Sequence, residues 1–181
     1  MTEREELLQL IKSEAYFREK ITLSSGKESD YYIDARLITL TPRGAYLCAK
    51  EMLALVQDDT YDAIGGPTLG ADPMIGAIGV VSLQAGSPKN LFIIRKEAKA
   101  HGKGKQTEGP ALKVGAKVIV IDDVATTGKA FLHALEVLTK MGVDVLKCVA
   151  IVDREEGAAE AVAAAGSTLV SVFKASEIHT P

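Results

Sequence analysis

Apolar side chains recur at helical spacing from the start of the chain, at Leu7, Leu10, Ile11 and Ala15, behind the capping-box pair Thr2 and Glu5. This spacing predicts an amphipathic helix over 2–17. Two short strand-like runs follow at 20–23 and 31–35, and the small polar residues between them favour a turn. Thr41 with Pro42 behind it opens a second helix that extends to about residue 57. From Asp62 onward the pattern changes to alternation. Apolar strands are predicted at 63–66, 91–94, 117–121, 143–152 and 168–173, with helices at about 70–84, 128–141 and 156–165 between them. Runs such as Val118-Ile119-Val120-Ile121 are apolar on both faces, as in strands of a parallel sheet covered by helices. The expected fold class is therefore α/β, a mostly parallel central sheet flanked by helices. About the first forty residues stand outside this alternation and are expected to form a small cap on the sheet, with no linker between.

A chain of 181 residues fits one domain, and 47% hydrophobic with 25% charged residues is ordinary globular composition. The net charge of −3 argues against a general nucleic-acid binder. The charge is unevenly placed: residues 95–105 hold five basic side chains and one acid, leaving a net −7 on the rest. A cationic segment on an acidic chain points to a small anionic ligand. Residues 95–110 also lack any apolar side chain larger than alanine, and a loop of that length in a compact domain reads as a lid. Cys48 and Cys148 lie in apolar contexts and read as buried reduced thiols. The charged N-terminus does not resemble a secretory leader, and no apolar run approaches the length of a membrane span, so a cytoplasmic protein is expected.

The chemistry concentrates in Val118–Ala130, where an apolar strand ends in Asp122 and Asp123 and a small-residue turn leads into a helix. In open α/β sheets ligands bind beyond the carboxyl ends of the strands. Ala125, Thr126, Thr127 and Gly128 offer backbone N–H groups, two hydroxyls and a helix N-terminus, which suit a phosphate. The two acids would repel that phosphate. They make sense beside it, accepting hydrogen bonds from ribose hydroxyls or acting through a metal, so the segment asks for a sugar phosphate. Composition alone equally allows a solvated turn in which Asp and Thr cap the helix. Neither GxxxxGK[ST] nor GxGxxG occurs in the chain.

Asp122-Asp123-Val124-Ala125-Thr126-Thr127-Gly128 resembles the phosphoribosyl diphosphate (PRPP) motif of the type I phosphoribosyltransferases. Three further segments narrow the resemblance to the orotate phosphoribosyltransferases: Arg95-Lys96-Glu97-Ala98-Lys99-Ala100-His101-Gly102 is similar to their mobile loop, Ser25-Gly26 with Ser29–Asp34 to their substrate hood, and Val152-Asp153-Arg154 to their late strand-end arginine. Together these span most of the chain in the family's order. The resemblance implies a single domain over 1–181, with about 1–40 and the C-terminal end forming the hood. It implies transfer of ribose 5-phosphate from PRPP to orotate, giving orotidine 5′-monophosphate and pyrophosphate, in pyrimidine synthesis. Mg²⁺ is the implied cofactor, carried by PRPP, with Asp122 or Asp123 reaching it through water and no direct protein ligand. A homodimer with shared active sites is implied, with neither nucleic acid nor membrane as partner.

By the same resemblance, Lys99, His101, Asp122 and Asp123 are the catalytic candidates. PRPP falls to Arg95, Lys96, Lys99, His101, Asp122, Asp123, Val124, Ala125, Thr126, Thr127, Gly128, Lys129 and Ala130. Orotate falls to Thr126, Arg154, Tyr32 and Ile33. Arg154 suits a planar ligand bearing a carboxylate, although a surface pair with Glu155 or Glu156 is the plain alternative. For Tyr32 or Ile33 a core position is equally compatible, because alternate strand residues face opposite sides. The loop from Gly65 to Asp72 resembles the family's pyrophosphate-side loop. Some family members carry lysines where this chain has Ser24 and Gly70. Two other readings remain beside the favoured one: a phosphoribosyltransferase for another base, such as a purine, and a PRPP-sensing regulator on the same fold.

Overall fold

The computed structural model describes residues 1–22, 28–97 and 105–179. Helix α1, Glu3–Leu10, is capped as its sequence predicts: Thr2 Oγ1 accepts from Glu5 N, and the Glu5 carboxylate accepts from Thr2 N. A π-helical turn, Ile11–Ala15, continues it, and Leu7, Ile11 and Ala15 are buried. The chain then extends two residues earlier than periodicity predicts. Strand β1, Tyr16–Phe17, pairs antiparallel with β4, Tyr32–Ile33, so a tertiary partner decides the helix end. Between them β2, Ile21–Thr22, pairs with β3, Glu28–Ser29. A short helix α2, Arg36–Thr39, which no sequence pattern announces, precedes α3, Pro42–Ala54.

The alternating region builds the expected sheet. Strands β5 (Ala63–Pro67), β6 (Asn90–Ile94), β8 (Lys117–Ala125), β9 (Asp144–Asp153) and β10 (Leu169–Lys174) are parallel. A two-residue strand β7, Thr107–Glu108, returns antiparallel along β6, giving the order β10-β9-β8-β5-β6-β7. Part of the stretch 95–110, expected to be an irregular loop, is therefore a paired edge. Arg95 N donates to Gln106 O at 2.8 Å below it. A pair of polar edge residues has no periodicity to show. The expected lid residues 98–104 lie outside the described residues.

Helices α3 and α4 (Asp72–Gln84) cover one face of the sheet, and α5 (Lys129–Lys140) and α6 (Ala158–Ala164) the other. Strand β8 serves both cores by alternation, with Ile119 and Ile121 packing on the first face and Val118 and Val120 on the second. Cys48 and Cys148 are buried and free, one on each face, and burial pushes both thiols up to about 12. A final helix α7, Ala175–Ile178, ties the chain's two ends together: Arg4 Nη2 donates to Val172 O at 3.0 Å and to Glu177 Oε1 at 2.7 Å. Among the described residues no helix is long and apolar enough to cross a membrane.

Candidate active site

From β5 the chain crosses to β6 on one side, whereas β8 pairs with β5 on the other. Such a reversal opens a crevice at the carboxyl ends of the strands. The crevice holds a cavity of about 570 Å³, lined by the 67–70 loop after β5, by Asp122 to Thr126 of β8 and its turn, by Arg154, and by residues 32–36. A smaller hollow of about 170 Å³ continues along the Thr126–Ala130 turn.

Strand β8 runs nine residues to Ala125, so Asp122 and Asp123 sit within a paired strand, where five strand residues and a turn were expected. The cause is β9: Val124 and Ala125 are in register with Val152 and Asp153. Asp123 N donates to Asp122 Oδ1 at 3.0 Å, and Val124 N to Asp123 Oδ1 at 2.7 Å. Burial holds the Asp122 carboxyl well above the usual range, and the neighbouring Asp123 charge adds to it. Asp123 is raised by burial too, against the pull of the Val124 N–H and of Arg36. Two packed, buried carboxyls resist carrying two charges without a ligand to accept them. Gly70 closes on them from the other loop. A Cβ there would stand 2.6 Å from Asp122 Oδ1 and 2.6 Å from Asp123 Oδ1, so any side chain at this position displaces both carboxylates.

Helix α5 begins at Gly128, whose φ of 79° lies in the left-handed region, and no side chain caps it. The capping alternative for the acids and threonines thus fails. The first helical bond is Leu132 N to Gly128 O, so the N–H groups of Lys129, Ala130 and Phe131 precede any intrahelical acceptor. These three residues line the small hollow with Thr126, Thr127 and Gly128, an arrangement fitted to a phosphate.

Arg154 follows β9 and sits at the end of β8, its N–H donating to Ala125 O at 2.9 Å. It does pair with Glu156, at 2.8 Å, but its side chain is 3% exposed, so the contact is buried and no surface pair. Nη2 donates to Ser29 Oγ at 2.9 Å, and the guanidinium lies 4.5 Å from the Tyr31 ring centroid. Tyr31 in turn stacks on Tyr16 and meets the tilted His179 ring with centroids 5.5 Å apart, and the Tyr16 hydroxyl bonds His179 Nδ1. Sequence reading singled out Arg154 but missed this support. Glu156 was visible as a neighbour, whereas Tyr31 and His179 meet only through the fold. Ile33 is buried in the core while its segment also lines the cavity, and Tyr32 lines it and stacks on Phe17.

Of the predicted cationic residues, Lys96 lines the cavity. Arg95 pairs with Glu108 at 3.3 Å at the base of the β6–β7 edge, outside the cavity lining. Lys99, His101 and Ser24 lie outside the described residues. Asp34, the last residue of the hood segment singled out in the sequence, and Arg36, which was not, line the cavity as an ion pair at 2.9 Å.

Residues 49–177 match the family model of the phosphoribosyl transferase domain. The chain is 45% identical over 185 residues to the orotate phosphoribosyltransferase of Aquifex aeolicus, covering 98% of each. It is 44% identical to that of Thermosynechococcus vestitus, over 97% of this chain and 93% of the relative. The crystal structure of Mycobacterium tuberculosis orotate phosphoribosyltransferase in complex with PRPP superposes with a TM-score of 0.81 at 36% identity, covering 98% and 99% of the two chains. A central sheet whose strand order reverses at the paired β5 and β8, a paired-acid strand end and full-length likeness to these relatives agree: the chain belongs to the phosphoribosyltransferases and, within them, to the orotate phosphoribosyltransferase family.

Proposed function

We propose that this chain transfers ribose 5-phosphate from PRPP to orotate, releasing pyrophosphate and forming orotidine 5′-monophosphate for pyrimidine synthesis. The observation that carries the reading is the convergence, in one crevice, of a phosphate-fitted helix start, two buried carboxyls and a buried arginine. The Thr126–Ala130 turn binds the 5′-phosphate through N–H groups and hydroxyls, and Lys129 adds charge. Asp122 and Asp123 accept from the ribose hydroxyls, which adds donors to the backbone N–H groups of Asp123 and Val124 that their buried carboxylates already hold. Arg154 takes the orotate carboxylate through a guanidinium already oriented by Glu156 and Ser29, with Thr126, Tyr32 and Ile33 along the ring. The hood of residues 1–40 and the C-terminal end shields this side.

The donor set suits Mg²⁺: two carboxylates alone offer few oxygens, and Mg²⁺ favours one or two carboxylates completed by substrate phosphates and water. When bound, Mg²⁺ supplies charge neutralisation to the departing pyrophosphate. Bond breaking at the anomeric carbon builds oxocarbenium character, so the protein's task is to stabilise the leaving anion in a closed site. Lys96 on the cavity wall, with Arg95, Lys99 and His101 by family resemblance, supplies cations for it.

The chain works as a homodimer sharing residues between sites, in the cytoplasm, an assembly favoured by the exposed Val80 and Leu83 of α4. The test is a panel of bases with PRPP and Mg²⁺, read by product mass. Orotate alone should be converted. Conversion of adenine, hypoxanthine or uracil in its place would assign another base, and PRPP binding without turnover of any base would assign a regulator.

A further inference from the structure

The charges on the crevice wall leave one position for a cation that the residues named so far do not fill. Among the described residues the wall carries three acids, Asp34, Asp122 and Asp123, and three cations, Arg36, Lys96 and Arg154. Arg154, oriented by Glu156, Ser29 and the Tyr31 ring, is assigned above to the orotate carboxylate. Lys96 lies in the turn after β6, outside any regular element. The 67–70 loop offers no cation of its own, and Gly70 packs its backbone against both carboxyls. A diphosphate entering beside Asp122 and Asp123 meets like charge unless a fixed cation faces it.

Arg36 is built for that place. It is the first residue of α2, and its Nε and Nη2 donate to the two oxygens of Asp34 at 2.9 and 3.1 Å. Asp34 is itself anchored, its N–H donating to Ala15 O at 2.9 Å. The fork uses two of the five guanidinium N–H donors and sets the plane of the rest. The side chain remains 45% exposed on the cavity wall, open to a ligand. Its field already reaches the catalytic pair, drawing the Asp123 carboxyl down against burial.

We propose that Arg36, oriented by Asp34, binds the diphosphate arm of PRPP and holds the pyrophosphate as it departs. The assignment rests on the phosphoribosyl transfer proposed above and adds to it a cation held in place by its ion pair with Asp34. It also gives Asp34 a role as a positioning residue.

Calorimetric titration of PRPP and of inorganic pyrophosphate, each with Mg²⁺, tests this on wild type, Arg36→Ala and Arg36→Lys. Arg36→Ala should weaken both ligands by about tenfold or more, the loss of one charge-assisted contact. In steady state its PRPP KM should rise in step, with orotate KM within about threefold of wild type. Arg36→Lys, which keeps the charge and loses the fork, should recover part of the affinity, and it carries the comparison alone if the alanine variant does not fold. PRPP and pyrophosphate bound within about threefold of wild type by Arg36→Ala would overturn the assignment. So would an orotate KM that rises as much as that for PRPP, since Arg36 would then serve the hood. Binding is read without turnover, so the two proposals fail separately. A wild type that binds PRPP but leaves orotate unchanged removes the activity and still reports on Arg36. A wild type that converts orotate while Arg36→Ala binds PRPP normally removes Arg36 alone.

Discussion

Asp122 is 7% exposed and pressed against a second carboxyl, a position that works against folding. Its folded pKa lies above the unfolded one, so above the unfolded pKa the unfolded chain releases a proton that the folded chain retains. Stability therefore falls as pH rises from about 4 until the folded group ionises. Asp122→Asn removes this loss. It should raise the melting temperature at neutral pH by about 2–4 °C for each kcal/mol regained and flatten the pH dependence, as thermal scans from pH 4 to 8 would show. The same variant should lose most of its turnover, since an amide cannot replace a carboxylate toward two ribose hydroxyls. A melting temperature that drops at neutral pH would contradict the burial account. Arg154 makes the converse case. Arg154→Lys keeps the charge but loses the fork and strands Glu156, so the orotate KM should rise by about ten- to a hundredfold while the PRPP KM moves little. Both residues were legible in the sequence as chemistry. Their burial was not, because it depends on β9 and on the hood.

At the scale of elements, the helices and parallel strands followed from periodicity because each buries a regular apolar stripe, as Leu7, Ile11 and Ala15 do on the first helix and Ile119 and Ile121 do on β8. Elements held by a distant partner were not legible. Tyr16 and Phe17 continue a helical pattern yet pair with Ile33 and Tyr32, and Arg36–Thr39 forms a single turn with no stripe to announce it. The phosphate-binding turn depends on Gly128. Its positive φ and the Ala158 Cα and O atoms 3.3 Å from an added Cβ both oppose a side chain. Gly128→Ala should cost about 1–2 kcal/mol in denaturant unfolding and weaken PRPP binding with it. The C-terminal stack is a second element-scale device. Replacing His179 by Ala removes a ring from the column that ends on Arg154, and should raise the orotate KM several-fold with PRPP binding unchanged, whereas His179→Phe should restore it.

For the whole molecule, charge placement proved as informative as pattern. A net acidic chain with a basic segment points to an anionic ligand, and the sheet places that segment's Lys96 on the wall of the crevice, with Arg95 outside it. The α/β class was legible because alternation reports layers directly. The point at which strand order reverses was not, since pairing of β8 with β5 is a long-range choice with no local mark. Dimerisation belongs to this scale. If sites are shared, mixing inactive Lys99→Ala with inactive Asp123→Asn subunits should restore up to about a quarter of the native rate, since random exchange gives hybrid dimers with one intact site. No recovery after proven subunit exchange would contradict shared sites.

The most direct measurement follows the ultraviolet absorbance of orotate with PRPP and Mg²⁺, comparing the native chain with Asp123→Asn. The account predicts a PRPP-dependent fall in absorbance, orotidine 5′-monophosphate by mass, and a rate at least about a hundredfold lower in the variant. Orotate consumed no faster with PRPP than without it, or an Asp123→Asn rate within about threefold of native, would contradict the assignment of this crevice as the site of transfer.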